Sequence, residues 1–158
     1  MGAALDGGEA DVPCGTCTSC CRSHQVVPVE PDEADTLAAI PPALLFDAPG
    51  EPGVLILPWD AEGRCPMLGE RGCTVYEARP RACRVYDCRV FAATGVEPHD
   101  EPVRLRVREW RWDVVDDTDA EALSSLRAAA DELRAEDPTS HPTRVAVVAV
   151  RRVSGAPG

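Results

Sequence analysis

The amino-acid sequence predicts a small α+β fold, in which an irregular cysteine-rich region packs on a short-stranded sheet with two or three helices. Three observations lead to this prediction. All eight cysteines lie between residues 14 and 88, and the first cysteine segment, 14–21, contains only Cys, Gly, Thr and Ser. Residues 103–107 alternate between apolar and arginine side chains, which is the period of a half-buried strand. Residues 118–135 repeat leucine and alanine on one face of a helix.

The cysteine-rich part is predicted to consist of short elements joined by loops. Pro31 suits a first helical turn, and the acidic and apolar residues that follow it predict a helix over 31–40. Pro80 is suited to open a further helix that carries Cys83 and extends toward Cys88. The remaining predictions are two short strands and one hairpin with a glycine-containing turn: 26–29, 54–57, and the pair 65–67 and 73–76.

The C-terminal part, 100–152, is predicted to form an α+β scaffold of strand, helix and strand. Its first strand is the alternating segment 103–107. Thr118 and Glu121 have the spacing of a capping box, so they predict the start of the long helix. The apolar run within 143–150 predicts a second, buried strand.

The length of the chain favours one domain with a modest core. Residues 14–152 are expected to form a single cysteine-cluster domain, because 158 residues are typical of one domain. The N-terminal segment 1–13 is acidic and rich in glycine and alanine, and it is predicted to be a disordered lead. Residues 153–158 are predicted to be a disordered tail.

Charge and hydropathy exclude several classes of partner. The formal net charge of -11 argues against nucleic acid, whose binding needs a basic face that displaces phosphate counterions. No segment approaches the roughly 18 apolar residues of a spanning helix, so no membrane partner is predicted. The N-terminus also lacks the basic and apolar regions of a signal peptide. We therefore expect a cytoplasmic protein, where thiols stay reduced and clustered cysteines indicate metal or redox chemistry rather than disulfides.

The run Cys14-x-x-Cys17-x-x-Cys20-Cys21 is the strongest chemical signal in the sequence. A C-x-x-C spacing lets two sulfurs reach one metal ion around a tight turn, and thiolates are soft ligands suited to zinc and to iron–sulfur clusters. The first three sulfurs can converge on one centre, as in the C-x2-C-x2-C run of bacterial ferredoxins. Neighbouring side chains tend to point apart, so Cys20 and Cys21 are expected to serve two ions or two corners of a cluster.

Four further cysteines complete a set of eight candidate metal ligands. Eight thiolates satisfy two four-thiolate zinc sites, one or two iron–sulfur clusters, or a multinuclear centre with bridging sulfurs. Seven arginines between residues 22 and 89 are expected to offset the negative charge of such a centre. His24 and Asp87 are weaker candidates, since an exposed loop position suits His24 and a capping or ion-pairing role suits Asp87. The predicted ligands are Cys14, Cys17, Cys20, Cys21, Cys65, Cys73, Cys83 and Cys88.

This cysteine pattern resembles the signature of the CxxCxxCC family of zinc- or iron-chelating proteins. The resemblance continues in Cys65-Pro66-Met67-Leu68 and in Gly72-Cys73-x-Val75-Tyr76-x-x-Arg79-Pro80-x-x-Cys83-Arg84, and it covers roughly residues 14–90. The family's usual form then continues toward phenylalanine and proline. This chain has Val85-Tyr86-Asp87-Cys88 instead, which adds an eighth cysteine. The resemblance implies metal binding and no particular reaction.

Three functions fit these observations. The leading hypothesis is a protein that chelates one or more zinc or iron ions, in a structural or metal-handling role. An iron–sulfur electron-transfer protein or enzyme is the alternative, and a thiol redox switch at Cys20 and Cys21 is a further one. The sequence contains no glycine-rich phosphate loop, Ser/His/Asp pattern or H-E-x-x-H motif, so no catalytic residue is assigned.

Overall fold

The computed structural model describes residue 12 and residues 14–155, which divide into two compact units. The cysteine unit comprises residues 12–86, and the helical unit comprises residues 87–155. Of the N-terminal segment 1–13, which was predicted to be disordered, only Val12 is among the described residues. Of the C-terminal segment 153–158, also predicted to be disordered, residues 156–158 lie outside the described residues. Residues 153 and 154 of that segment are helical. The single domain over 14–152 stays a prediction.

Short strands and short helices make up the cysteine unit. Its three-stranded antiparallel sheet has the order β1-β3-β2, where β1 is Val27–Val29, β2 is Phe46–Asp47 and β3 is Leu55–Leu57. A separate hairpin pairs β4 (Leu68–Gly69) with β5 (Gly72–Cys73). The helical elements of its described residues are α1 (Ala34–Ala39), α2 (Arg81–Val85) and 3-10 turns at Cys20–Arg22, Pro42–Leu44 and Tyr76–Ala78. The α+β prediction is confirmed.

A small apolar core holds the cysteine unit together. Val29 and Leu57 from the sheet and Ile40 from the end of α1 are each at most 2% exposed. Cys65 and Met67 pack against this core, so a cysteine-bearing segment is continuous with it. The strands predicted at 26–29 and 54–57 and the helix predicted at 31–40 are confirmed with shorter bounds, and the hairpin strands lie nearer their turn than predicted.

The regular elements described in the helical unit are all helices. These are α3 (Arg89–Thr94), α4 (Glu101–Val107), α5 (Asp117–Glu136) and α6 (Pro142–Ser154). The helix α5 packs along α6, α3 contacts both, and α4 contacts α3. Each of the four helices contributes buried apolar side chains to one core. Among the helices that the structure describes, none is both long and apolar enough to cross a membrane.

The first C-terminal strand prediction is wrong, because 103–107 belongs to α4. Val103 is 1% exposed, whereas Leu105, two residues further on, is 53% exposed. In a strand both side chains would face the same side, whereas in a helix residues two apart point in different directions. The alternation therefore reflects one buried valine in a short helix that begins after Asp100 with Pro102 in its first turn.

The second C-terminal strand prediction is also wrong, because 143–150 lies inside α6. Its buried residues are two adjacent pairs four positions apart, which is helical spacing. A run that is apolar at nearly every position has no distinct period, so it cannot distinguish a buried strand from a buried helix. The four buried residues are Val145, Ala146, Ala149 and Val150.

The long helix predicted to run to about residue 135 is confirmed as α5, but its N-cap is Asp116. The Asp116 side chain accepts a hydrogen bond from the Asp119 backbone N–H at 3.0 Å. Thr118, predicted as the cap, lies exposed within the first turn. Aspartate is at least as good an N-cap as threonine, so the helix starts two residues earlier.

We expect the substitution Asp116→Ala to lower the free energy of unfolding by about 1 kcal/mol, because it removes the acceptor for an otherwise unpaired helix N–H. Thr118→Ala is the matched control and should change stability by less than about 0.5 kcal/mol. Urea unfolding followed by helical circular dichroism measures both. A larger loss for Thr118→Ala than for Asp116→Ala would contradict this assignment.

Candidate metal centre

The first four cysteines lie in a loop whose backbone hydrogen bonds shape it. The Cys17 N–H donates to the Cys14 carbonyl at 2.9 Å, and Gly15 between them has φ of 56°. This left-handed conformation favours glycine and closes a tight turn. The 3-10 turn Cys20–Arg22 follows, and the Ser23 hydroxyl donates to the Cys20 carbonyl at 2.7 Å. The loop therefore presents its four thiols without an apolar core of its own.

The hairpin brings two further cysteines beside this loop. The Cys65 N–H donates to the Cys21 carbonyl at 2.8 Å, which joins the first cysteine segment to the second. The Leu68 N–H then donates to the Cys65 carbonyl at 2.9 Å. Because Leu68 pairs with Cys73 across the hairpin, Cys73 is held on the same side of the unit as Cys65.

The short helix α2 supplies the seventh cysteine of the unit. Pro80 is its N-cap residue, and the Cys83 N–H donates to the Pro80 carbonyl at 2.8 Å. The predicted helix opening at Pro80 is confirmed, but it ends at Val85 and does not carry Cys88. Cys88 instead precedes α3 in the helical unit as its N-cap residue.

Seven cysteines of the cysteine unit line one cavity of about 50 Å³. Its other walls include the apolar side chains of Leu57, Met67 and Val75. Among the described residues, no three ligating side chains already stand in the arrangement that holds one ion. The seven thiols therefore line the same cavity but do not surround one common point at which an ion could bind. The lining cysteines are Cys14, Cys17, Cys20, Cys21, Cys65, Cys73 and Cys83.

Burial keeps most of these thiols protonated near neutral pH. It raises the pKa of Cys65 and of Cys73, and it raises the pKa of Cys83 to about 12. Nearby cysteine sulfurs raise these values further, since several negative charges are unfavourable together. Any metal that binds here has to displace protons, so its affinity falls as the pH falls.

Cys20 and Cys21 both line the cavity. The interaction between these neighbouring thiols raises the pKa of Cys20 and lowers the pKa of Cys21 to about 7. Both residues line one cavity, and the expectation that their side chains point apart stays a prediction. In a 3-10 turn with three residues per turn, successive side chains are about 120° apart, so both can face one concave site.

Among the residues that the structure describes, Arg79 is the one charged side chain that lines the cavity. It is 5% exposed, and its guanidinium lies 4.0 Å from the ring centroid of Tyr76. It donates to the Tyr76 carbonyl at 2.7 Å, and its charge lowers the pKa values of Cys73 and Cys83 against the effect of burial. Arg79 thus supplies positive charge where thiolates would gather.

The seven arginines that were predicted to offset thiolate charge have different surroundings. Arg64, Arg81 and Arg89 pair with carboxylates at 2.7–3.1 Å, because each has an acidic residue within reach on a neighbouring turn or helix end. The charge of Arg22 lowers the pKa of Cys21, as the charge of Arg79 does for Cys73 and Cys83. For these two arginines the predicted electrostatic effect on cysteines of the cavity is therefore present.

His24 and Asp87 have the structural surroundings that the sequence favours for them. The His24 ring meets Trp59 edge-on, with centroids 5.6 Å apart, and packs over Gly63. The Asp87 carboxylate accepts from the Arg89 backbone N–H at 3.0 Å and pairs with its guanidinium at 2.7 Å. Neither side chain lines the cavity.

A family model matches residues 13–102, which is more than half of the chain and includes all eight cysteines. The chain belongs to the CxxCxxCC family. The model's description is "Putative zinc- or iron-chelating domain", which agrees with a cavity lined by thiols. No curated protein and no solved structure matches the chain.

One residue of the CxxCxxCC domain that the sequence did not single out is Glu33, whose side chain is 1% exposed. Its carboxylate accepts from the Glu30 N–H at 3.0 Å and from the Arg81 N–H at 2.5 Å, and it lies 3.9 Å from the Arg84 guanidinium. It therefore ties the start of α1 to the start of α2, which carries Cys83. In the sequence, Glu33 looks like an ordinary acidic residue at the start of a helix, so no local pattern indicates its long-range contact with α2.

The substitution Glu33→Gln should lower the free energy of unfolding by about 1–3 kcal/mol. The carboxylate accepts from two backbone N–H groups, and the glutamine amide would turn its own N–H toward one of them. The substitution also removes the negative charge beside the Arg84 guanidinium. We also expect faster loss of bound metal to a chelator, because α2 is no longer anchored. Urea unfolding and a competition assay with a chromogenic chelator measure the two effects.

Asp32→Asn is the matched control for this test. It is the neighbouring carboxylate, and it loses only an exposed ion pair to Arg81 at 2.7 Å. Such pairs contribute little to stability, so both measurements should stay close to those of the unsubstituted protein. Equal effects of the two substitutions would contradict the role given to Glu33.

Proposed function

We propose that the cysteine unit is a thiolate metal centre that binds zinc or iron ions. The observation that carries this proposal is the convergence of seven cysteine side chains from three separate chain segments on one cavity. Family membership supports the same chemistry. The ligands proposed are those seven cysteines, and Cys88 is proposed as an eighth on the evidence of the sequence alone.

The chemistry of the donor set fits these metals. Thiolate sulfur is a soft ligand that suits zinc and the iron of iron–sulfur clusters. Among the described residues, no carboxylate or imidazole lines the cavity. Apolar walls from Leu57, Met67 and Val75 limit solvent access, and this strengthens metal–thiolate attraction. Arg79 supplies compensating charge at the same place.

The proposed role of the metal is to assemble the cysteine unit. Only three apolar side chains described in that unit are buried, against twelve in the helical unit. A core of this size contributes little burial energy to a segment with two- and three-residue strands. Metal–thiolate bonds then contribute a large share of the folding free energy, as in other small metal-dependent domains.

Metal removal is predicted to affect the two units differently. Chelation of the full chain should abolish hydrogen-exchange protection of backbone amides in the cysteine unit, because its thiol-bearing segments lose their shared ligand. The helices α5 and α6 serve as an internal control and should keep their protection, since their core contains no cysteine. Exchange measured by mass spectrometry, with and without chelator, resolves the units. Unchanged protection of residues 14–86 would contradict the assembly role.

An iron–sulfur cluster for electron transfer or catalysis is a second candidate. The ferredoxin-like spacing of Cys14, Cys17 and Cys20, whose side chains line the same cavity, favours it. A cluster gives a brown protein with absorbance near roughly 400 nm that bleaches on reduction. Elemental analysis and absorbance of protein purified without oxygen decide between the candidates. Colourless protein with at least one zinc or iron per chain is expected, and less than one metal per folded chain would contradict both.

A thiol redox switch is a third candidate, favoured by the adjacent Cys20 and Cys21, which line the same cavity. A thiol with a pKa of about 7 is partly deprotonated at neutral pH, and the thiolate is the form that peroxides oxidise. All three functions require reduced thiols, so we propose a cytoplasmic location and metal ions as the partners.

A further inference from the structure

The first cysteine loop, residues 14–21, has hydrogen bonds to other segments of the cysteine unit at both of its ends. At its C-terminal end the Cys21 carbonyl accepts from the Cys65 N–H at 2.8 Å. Just before its N-terminal end, the Val12 N–H donates to the Arg84 carbonyl at 2.7 Å. The loop contains no apolar side chain that could pack on the core, so its order depends on contacts of this kind.

The guanidinium of Arg79 also contacts the Val12 backbone. One of its terminal nitrogens donates to the Val12 carbonyl at 3.4 Å, and the other donates to the Tyr76 carbonyl at 2.7 Å. The same group lies 4.0 Å from the centroid of the Tyr76 ring, and Arg79 is 5% exposed. A planar guanidinium can serve two acceptors and stack on an aromatic face at once, whereas a lysine ammonium is a point charge on a flexible stem.

These contacts join the start of the cysteine loop to α2 and to the 3-10 turn Tyr76–Ala78. Arg84, whose carbonyl accepts from Val12, lies in α2 directly after Cys83. Val12 therefore bonds α2 through its N–H and Arg79 through its carbonyl. Because both of its backbone groups are engaged, this residue is fixed against the unit without belonging to a regular strand.

Arg79 lines the cavity, so its positive charge alone is a second explanation for its position. A charge that only offsets thiolates needs no particular orientation of the guanidinium. The observed group instead has one carbonyl on each of its terminal nitrogens and an aromatic ring on its face. This geometry favours a role that depends on the shape of the side chain as well as on its charge.

We propose that Arg79 is a positioning residue that clamps the Val12 backbone and thereby fixes Cys14 and Cys17 at the edge of the cavity. The Cys17 N–H donates to the Cys14 carbonyl at 2.9 Å, so holding the start of this turn orders both thiols. The inference goes beyond the proposed metal binding, because the clamp consists of hydrogen bonds within the protein and does not depend on which ion is bound.

Backbone hydrogen exchange, resolved to single residues by mass spectrometry on the full chain purified without oxygen, tests the clamp. In the unsubstituted protein the Val12 amide should exchange at least about tenfold more slowly than a free amide. Arg79→Lys should speed exchange at Val12 and Cys17 by about fivefold or more, because it keeps the charge but loses the two-carbonyl fork. The Leu68 amide, which bonds the Cys65 carbonyl, should change much less.

Two variants are matched controls. Arg81→Ala loses only an exposed ion pair to Asp32 and should leave exchange at Val12 and Cys17 unchanged. Val12→Ala keeps the backbone N–H and carbonyl that the clamp uses, so it should also leave the exchange at Cys17 unchanged.

Three outcomes would overturn the clamp. In the first, the Val12 amide of the unsubstituted protein exchanges like a free amide. In the second, Arg79→Lys leaves exchange at Val12 unchanged, which would mean that the charge is sufficient. In the third, Arg79→Lys speeds exchange at Leu68 as much as at Val12, which would assign Arg79 a general role in stability. Metal content measured on the same samples tests the proposed function separately.

Discussion

The hydrogen bond between the Cys65 N–H and the Cys21 carbonyl joins the two halves of the cysteine set, and the cavity depends on it. At 2.8 Å it fixes the hairpin segment against the N-terminal loop. Without it, the loop has only local turns of its own, because it contains no apolar residue that could pack on the core. The sheet, the hairpin and α2 form the frame that brings three further thiols to the four of the loop.

The two units illustrate two different ways to stabilise a chain. The helical unit buries apolar side chains from four helices, and its stability follows from the area removed from water. The cysteine unit places its thiols, Arg79 and the buried Glu33 around a core of three residues. Seven of its thiols line one cavity, but among the described residues no three ligating side chains lie where they could hold one ion.

Much of the cysteine unit could be predicted from the sequence, because its signals are local. Pro31 and Pro80 marked the starts of α1 and α2, and short apolar runs indicated β1 and β3. The thiol chemistry followed from spacing alone. That Cys20 and Cys21 both line the cavity could not be predicted, since side-chain directions depend on the turn type, which their spacing does not specify.

The remaining features depend on tertiary contacts that leave no local pattern. The run 143–150 is apolar nearly throughout, so its helical state in α6 is decided by packing on α5. Glu33 looks like a surface residue until α2 is placed beside it. The arginines were assigned by their position along the chain, whereas their carboxylate partners are set by the fold.

The central claim is that the cavity thiols, and not other side chains, hold the metal. X-ray absorption at the edge of the bound metal, on protein purified without oxygen, tests it most directly. The account predicts sulfur as the nearest scatterer, at about 2.3 Å if the metal is zinc. Nearest neighbours that are nitrogen or oxygen, at about 2.0–2.1 Å for zinc, would contradict it.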